Sequence, residues 1–229
     1  MSIRATALAL LAAGALAAPL AAQPRPAAPA RSATATARPA ADTAKDARLV
    51  RADRDRIRGA QNGVWIVVIS DYQCPFCKKW HEETEPLIER DYVRTGKAQI
   101  AYINFPIASI HPNAQATHEV AMCAAEQERF WPVSEAIFAR QDAWKRHRDI
   151  RAYLDSLVRT LPVDKPRIDR CLASGEMKAL IAADVDRASR LGVGSTPSFL
   201  IGGRPLIGAQ PYAAFKQAID AALAAGQAR

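Results

Sequence analysis

The sequence predicts an α/β fold in which a small sheet is split in sequence by an all-helical insertion. Three observations carry that prediction. A continuous apolar run, Val64-Trp65-Ile66-Val67-Val68-Ile69, leads through Cys74-Pro75-Phe76-Cys77 into a helix-compatible stretch; a long region of helical signal extends from Ile107 to Leu191; and two short apolar segments flank Gly202-Gly203. Val64 to Ser70 is rich in β-branched residues without alternation, which suits a buried central strand. Beyond Cys77, Trp80, Thr84, Leu87, Ile88 and Tyr92 recur at helical spacing, Pro86 is expected to kink that helix, and Gly96 supplies its stop. Ala98 to Phe105 alternates as a strand and ends at Pro106. In the insertion, Val120, Ala121, Ala124, Phe130, Ile137 and Phe138 follow a 3.6-residue period, and Pro132 is expected to interrupt the first helix. Pro162 and Pro166 separate later helices around Arg151 to Val158 and Lys178 to Leu191. Ser198 to Ile201, Gly202-Gly203 and the segment through Ile207 read as a β-hairpin, followed by an Ala-rich helix from Tyr212 to Ala225.

The chain opens with Met1-Ser2-Ile3-Arg4, an Ala/Leu run from Ala5 to Ala18, and small residues at Ala21-Ala22 before Gln23-Pro24, the order of a secretory signal. Residues 1–22 are therefore expected to be a signal peptide cleaved after Ala22, although Leu20 is bulkier than the small residue preferred two positions earlier. The mature protein is expected to be exported, to a periplasm or beyond. The competing reading, an uncleaved anchor, meets a run that is weakly apolar and interrupted by Gly14 and Pro19. Residues 23–47 are almost wholly Ala, Pro, Thr, Ser and Arg, and lack the large apolar side chains that offset ordering entropy, so a disordered tether is expected there. The remainder is one domain's worth of chain, with core segments at 48–106 and 192–229 around the insertion at 107–191. The formal net charge is +8. Its densest cluster, Lys145-Arg146-His147-Arg148, is short and has no interleaved aromatic residues, so it reads as a solvated helix end, and nucleic acid is not an expected partner.

Cys74 and Cys77 sit where a strand delivers them to the first turn of a helix, where unpaired backbone N–H groups and the positive end of the helix dipole stabilise a thiolate. A free thiol titrates near about 8.5, and Cys-x-x-Cys thiols at helix N-termini fall to roughly 3.5–7.5. Cys74 is the expected nucleophile, and Cys77, one turn later, the thiol that closes or resolves a disulfide. Pro75 suits the first helical position, which needs no N–H. Two plainer readings compete. A zinc site wants four ligands, and His81, His111, His118 and His147 show no ligand pair at the required spacing. A purely structural disulfide closing so tight a loop removes little unfolded-chain entropy.

Several ordered motifs, running from about Gly59 to Phe215, now carry a resemblance: Ser70-Asp71-Tyr72-Gln73-Cys74-Pro75-Phe76-Cys77-Lys78, Asn104-Phe105-Pro106, His111-Pro112-Asn113-Ala114, Cys123-Ala124-Ala125-Glu126-Gln127 with Phe130-Trp131, and Gly192-Val193-Gly194-Ser195-Thr196-Pro197-Ser198-Phe199. The chain resembles the DsbA-like branch of the thioredoxin superfamily. The resemblance implies a thioredoxin fold with an inserted helical domain and thiol:disulfide oxidoreductase activity outside the cytoplasm, with no cofactor and no metal. It implies a cis bond at Thr196-Pro197 beside the redox pair, where the residues alone read as a trans proline opening a strand. Substrate would then lie against Thr196, Pro197, Phe76 and Pro75, with the Thr196 backbone pairing with an extended segment. Expected partners are unfolded, cysteine-containing exported polypeptides and a membrane quinone-linked redox partner of the DsbB or VKOR type.

Two departures from the family pattern stand out. The buried acid often found six positions before the nucleophile is Val68 here, which leaves Asp71, Glu82 and Glu83 as the nearest carboxylates; and Phe76 occupies a place where strong oxidants of the family carry histidine. With Cys74 assigned to Cys77, Cys123 is left with Cys171, either as a structural bridge or as two buried free thiols. The same site run in reverse would make a reductase or isomerase. A polypeptide-binding chaperone, using the apolar surface around Phe76 and Pro197, is the non-enzymatic alternative.

Overall fold

A computed structural model describes residues 40–227, with side chains from 47 to 226. The expected signal peptide and residues 23–39 of the expected tether lie outside the described residues. Residues 40–47 correct the tether's boundary, because they open helix α1, Ala40–Asp55. Their composition lacks large apolar side chains, yet alanine is the strongest helix former, and the later turns of α1 bury Ala52.

Five strands order as β1-β3-β2-β4-β5. The central pair, β2 (Val64–Ser70) and β3 (Ala98–Asn104), is parallel, while β1 (Ile57–Gly59), β4 (Ser198–Ile201) and β5 (Arg204–Ile207) join antiparallel. β1 has no counterpart in the sequence reading, since a three-residue edge strand is too short to show a period. The alternation expected across β3 is also corrected. Six of its seven residues are buried, because β3 lies between β1 and β2 with apolar residues packed on both faces. The α/β class with the helical insertion stands as expected.

After β2 come α2 (Pro75–Glu83), α3 (Glu85–Ile88) and a π-helical turn over Glu89–Val93. The break at Thr84 falls just before Pro86, which has no N–H to continue the ladder. The insertion holds α4 (Ala114–Ala125), α5 (Phe130–Ala139), α6 (Gln141–Trp144), α7 (Ile150–Val158), α8 (Lys165–Ser174) and α9 (Glu176–Arg190), and α10 (Tyr212–Gln227) closes the described chain. Pro132 does not interrupt a helix. It lies in the first turn of α5, where a missing N–H costs nothing, and the chain breaks earlier, at Glu128 with φ 60°. Cys123 of α4 is bonded to Cys171 of α8 across 48 residues of sequence. Chain entropy alone assigns such a loop about 4 kcal/mol, so the double variant C123A/C171A is expected to lose about that much unfolding free energy in urea. A loss below about 1 kcal/mol would show that the helices hold without it.

Beneath the insertion lies a buried polar network. Arg56 donates to Asp184 and to the carbonyl oxygen of Tyr102 (3.1 Å), Asn104 Nδ2 donates to Asp184 (2.8 Å), and Asn104 Oδ1 meets His118 Nδ1 at 2.7 Å. Arg56 and Asp184 are both buried, and each is the partner that offsets the other's lost solvation. Burial pushes the His118 imidazole down to about 4. Below the unfolded value of about 6.5 the unfolded chain takes up a proton that the folded chain refuses, so stability falls as pH drops from 6.5 to 4, by about 3 kcal/mol in all. Acid titration of the unfolding free energy should show this slope in the wild type and a flatter one in H118Q; equal slopes would assign the acid loss to other groups.

Candidate active site

Strand β2 ends at Ser70, and a tight turn, closed by Cys74 N–H donating to the Asp71 carbonyl (3.1 Å), aims Cys74 at the start of α2. Cys74 is the N-cap, with extended backbone (φ −69°, ψ 124°), and Pro75 follows at the first helical position. Both cysteines are free thiols. Cys77 is fully buried, and Cys74, expected to be the more exposed of the two, retains only 5% of its surface. Beside it Phe76 is 62% exposed.

The two thiols are electrostatically unequal. The Cys74 thiol falls to about 6, chiefly through its hydrogen bond with Cys77; burial opposes this, and the Thr196 side chain and the amides of Cys77 and Phe76 assist. The thiol faces the Thr196 carbonyl at 3.4 Å, and the buried Thr196 hydroxyl has no hydrogen-bond partner. Burial pushes Cys77 well above its ordinary value, and Cys74 adds to the rise. The Asp71 amide, 3.4 Å from Cys77 Sγ, and the Ser70 hydroxyl pull the other way.

Thr196 and Pro197 come from the far end of the chain. Their peptide bond is cis, Pro197 is buried at the head of β4, and its carbonyl accepts from Gly208 N–H at 2.9 Å. The structure thus brings Cys74, Cys77 and Thr196-Pro197 together, and leaves Pro75 and Phe76 facing solvent. Cys123 and Cys171 belong to the insertion. Val68 is buried with no acid in its place, and none of the three alternative carboxylates fills that role. Asp71 accepts from the amides of Gln73 and Ile107 (2.8 Å each) and meets His111 Nδ1 at 2.7 Å, while Glu82 and Glu83 lie exposed on α2. Among the described residues no carboxylate is hydrogen-bonded to Cys77.

The sequence reading missed the residues that hold the turn. Gln141 Nε2 donates to the carbonyls of Tyr72 (2.7 Å) and Cys74 (2.9 Å), and Gln73 Nε2 donates to the Lys145 carbonyl (2.8 Å) while its Oε1 accepts from Asn113 N–H (2.8 Å). Asn113 stood in a quoted motif without a role. Nothing about an isolated Gln141 signals that its amide reaches back across 67 residues to a cysteine carbonyl.

A thioredoxin sheet with a helical insertion, carrying a Cys-Pro-Phe-Cys pair at a helix start against a cis proline, defines the class: a thioredoxin-like protein whose two thiols are placed to form and break a disulfide. The family model described as Thioredoxin matches residues 52–221. The chain belongs to that family. A protein of Salinispora tropica named Na(+)/H(+) antiporter NhaA 3 is 32% identical over 178 residues, which cover 77% of this chain but 26% of the antiporter. The chain therefore spans about a quarter of that relative's length. A probable disulfide bond formation protein D of Bacillus anthracis is 28% identical over 69% of this chain and 72% of its own. The crystal structure of Wolbachia pipientis α-DsbA1 superposes with a TM-score of 0.66 at 19% identity, covering 74% of this chain and 90% of the other.

Proposed function

We propose that the chain is an exported dithiol oxidase that forms disulfides in unfolded, cysteine-containing polypeptides. The observation that carries this reading is the asymmetry of the two thiols: a stabilised Cys74 thiolate favours the reduced protein and so makes the Cys74–Cys77 disulfide a ready oxidant. A substrate thiolate attacks Cys74 Sγ of the oxidised protein, the Cys74–Cys77 bond breaks, and Cys77 leaves as a thiolate that takes up a proton. A second substrate thiolate then attacks the substrate sulfur of the mixed disulfide and expels Cys74 as the thiolate. The substrate gains a disulfide and the protein holds two reduced cysteines. Reoxidation takes two electrons away, and a membrane quinone-linked partner of the DsbB or VKOR type fits that need.

Binding relies on backbone as much as on side chains. The half-buried Thr196 borders Cys74, so an extended substrate can add as a strand there while Phe76 and Pro75 offer apolar contact. The secretory pattern of residues 1–22 supports export. The test is the equilibrium reduction potential of the Cys74–Cys77 pair in glutathione buffers. Because Phe76 gives the thiolate no charge where strong oxidants of the family carry histidine, a potential below about −120 mV but well above about −270 mV is expected; one near about −270 mV would mean a stable disulfide and turn the reading toward a reductase.

A further inference from the structure

The basic cluster Lys145-Arg146-His147-Arg148 follows the C-terminus of α6, and the structure ties it to the redox turn. Gln73, the residue before Cys74, donates to the Lys145 carbonyl at 2.8 Å. Asn113 Nδ2 lies 3.2, 3.4 and 3.1 Å from the carbonyls of Trp144, Lys145 and His147, and Gln141, in α6, holds the Cys74 carbonyl. The loop's backbone is thus fixed on both sides of one residue's reach from the nucleophile, while the side chains of Arg146, His147 and Arg148 are exposed. The neighbouring acids are already engaged. Asp142 lies between Lys78 and Lys145, 2.5 Å from each, and Asp149 caps α7 by accepting from Ala152 N–H at 3.0 Å. Arg146 and Arg148 have no acidic partner among the described residues, and neither does the exposed Lys79 of α2.

Unpaired cations on a backbone tied beside a reacting centre raise the local concentration of oppositely charged partners, by a factor that salt removes. We propose that Arg146 and Arg148 form a docking rim for acidic polypeptide segments, so that the preferred substrates carry Asp or Glu within a few residues of the reacting cysteine. The proposal rests on the oxidoreductase reading and adds a charge preference to it. The hydrogen bonds to the loop's carbonyls keep the roots of both arginines beside the cysteine turn, while their free side chains reach carboxylates within a few residues of the substrate thiol.

The test measures oxidation rates of three synthetic peptides by the oxidised protein, each with two cysteines flanked by Asp, by Lys or by Ser, for the wild type and for R146E/R148E. Flanking charge alters a peptide's own thiol pKa, so each peptide is compared with itself across the two proteins. At 10 mM salt the variant is expected to oxidise the Asp peptide about tenfold more slowly and the Lys peptide faster, with the Ser peptide within about twofold and the differences lost in 0.5 M NaCl. An Asp-peptide rate that is the same in both proteins overturns the proposal. So does a fall shared by the Ser peptide, which would make the loop a prop for the cysteine turn. Cosedimentation with phosphatidylglycerol vesicles that R146E/R148E abolishes, with all peptide rates unmoved, would assign the arginines to a membrane surface instead. If the wild type oxidises none of the peptides, the oxidoreductase reading fails first and this proposal with it.

Discussion

Replacing Cys74 with serine is expected to lower peptide oxidation by about 10³-fold or more, whereas Cys77→Ser should stop the same reaction at a different place. C74S removes the only thiol that stays ionised near neutrality. Cys77 cannot substitute for it, because it is fully buried and its thiol is pushed up by that burial. In C77S the nucleophile survives, and Cys74 can still attack a disulfide-bonded substrate, but no neighbouring thiol is present to break the mixed disulfide. That species should accumulate as a covalent adduct on non-reducing gels and disappear on adding dithiothreitol. The pair of variants also separates enzyme from chaperone: aggregation suppressed by C74S at wild-type efficiency, together with no adduct from C77S, would sink the redox assignment.

The second large effect is in pH. With Cys74 near 6, its alkylation by iodoacetamide in the reduced protein should rise only about twofold between pH 6 and pH 9, because half the thiol is already ionised at the start. A free thiol with a value near about 8.5 rises more than about 100-fold over the same interval. The sign follows from the direction of the shift: a depressed value keeps the thiolate down to lower pH, so reactivity is lost as pH falls through about 6. Using the shape of the profile cancels the slow access of a site with little exposed surface. It also cancels the roughly tenfold loss of intrinsic nucleophilicity that accompanies a 2.5-unit lower value. Mass spectrometry after the reaction should find Cys77 unlabelled. A 100-fold rise at Cys74 would mean that the Cys77 thiol, Thr196 and the helix-start amides do little for the thiolate.

The sheet's centre, the redox pair and the hairpin were legible because each is written in a short stretch: an unbroken apolar run, two cysteines three residues apart, two glycines between apolar segments. The cis Thr196-Pro197 bond came only from the resemblance, since a proline before a strand looks the same in either isomer. Helix α1 and strand β1 left no readable signal. One opens on residues 40–47, a small and polar stretch that suggests disorder by composition, and the other is shorter than any period that could reveal it. The supports of the cysteine turn escaped for a different reason. Gln141, Gln73 and Asn113 act through single amide groups on backbone carbonyls distant in sequence, and hydrogen bonds of that kind depend on where the fold places a residue rather than on its neighbours. Pro132 was misread because a proline marks a helix start as readily as a break, and only the turn ending at Arg129 tells the two apart.

The long-range supports around Cys74 also bear on the order in which the chain is made. The two cysteines are synthesised early, but the amide that holds the Cys74 carbonyl comes 67 residues later and the Thr196 group that meets its sulfur 122 residues later. An unfinished chain therefore lacks both supports. The Cys77 thiol and the helix-start amides are local, so most of what lowers the Cys74 thiol forms with the first helix of the redox turn, and the Thr196 contribution and the clamp on the Cys74 carbonyl are added only once the later segments have folded back.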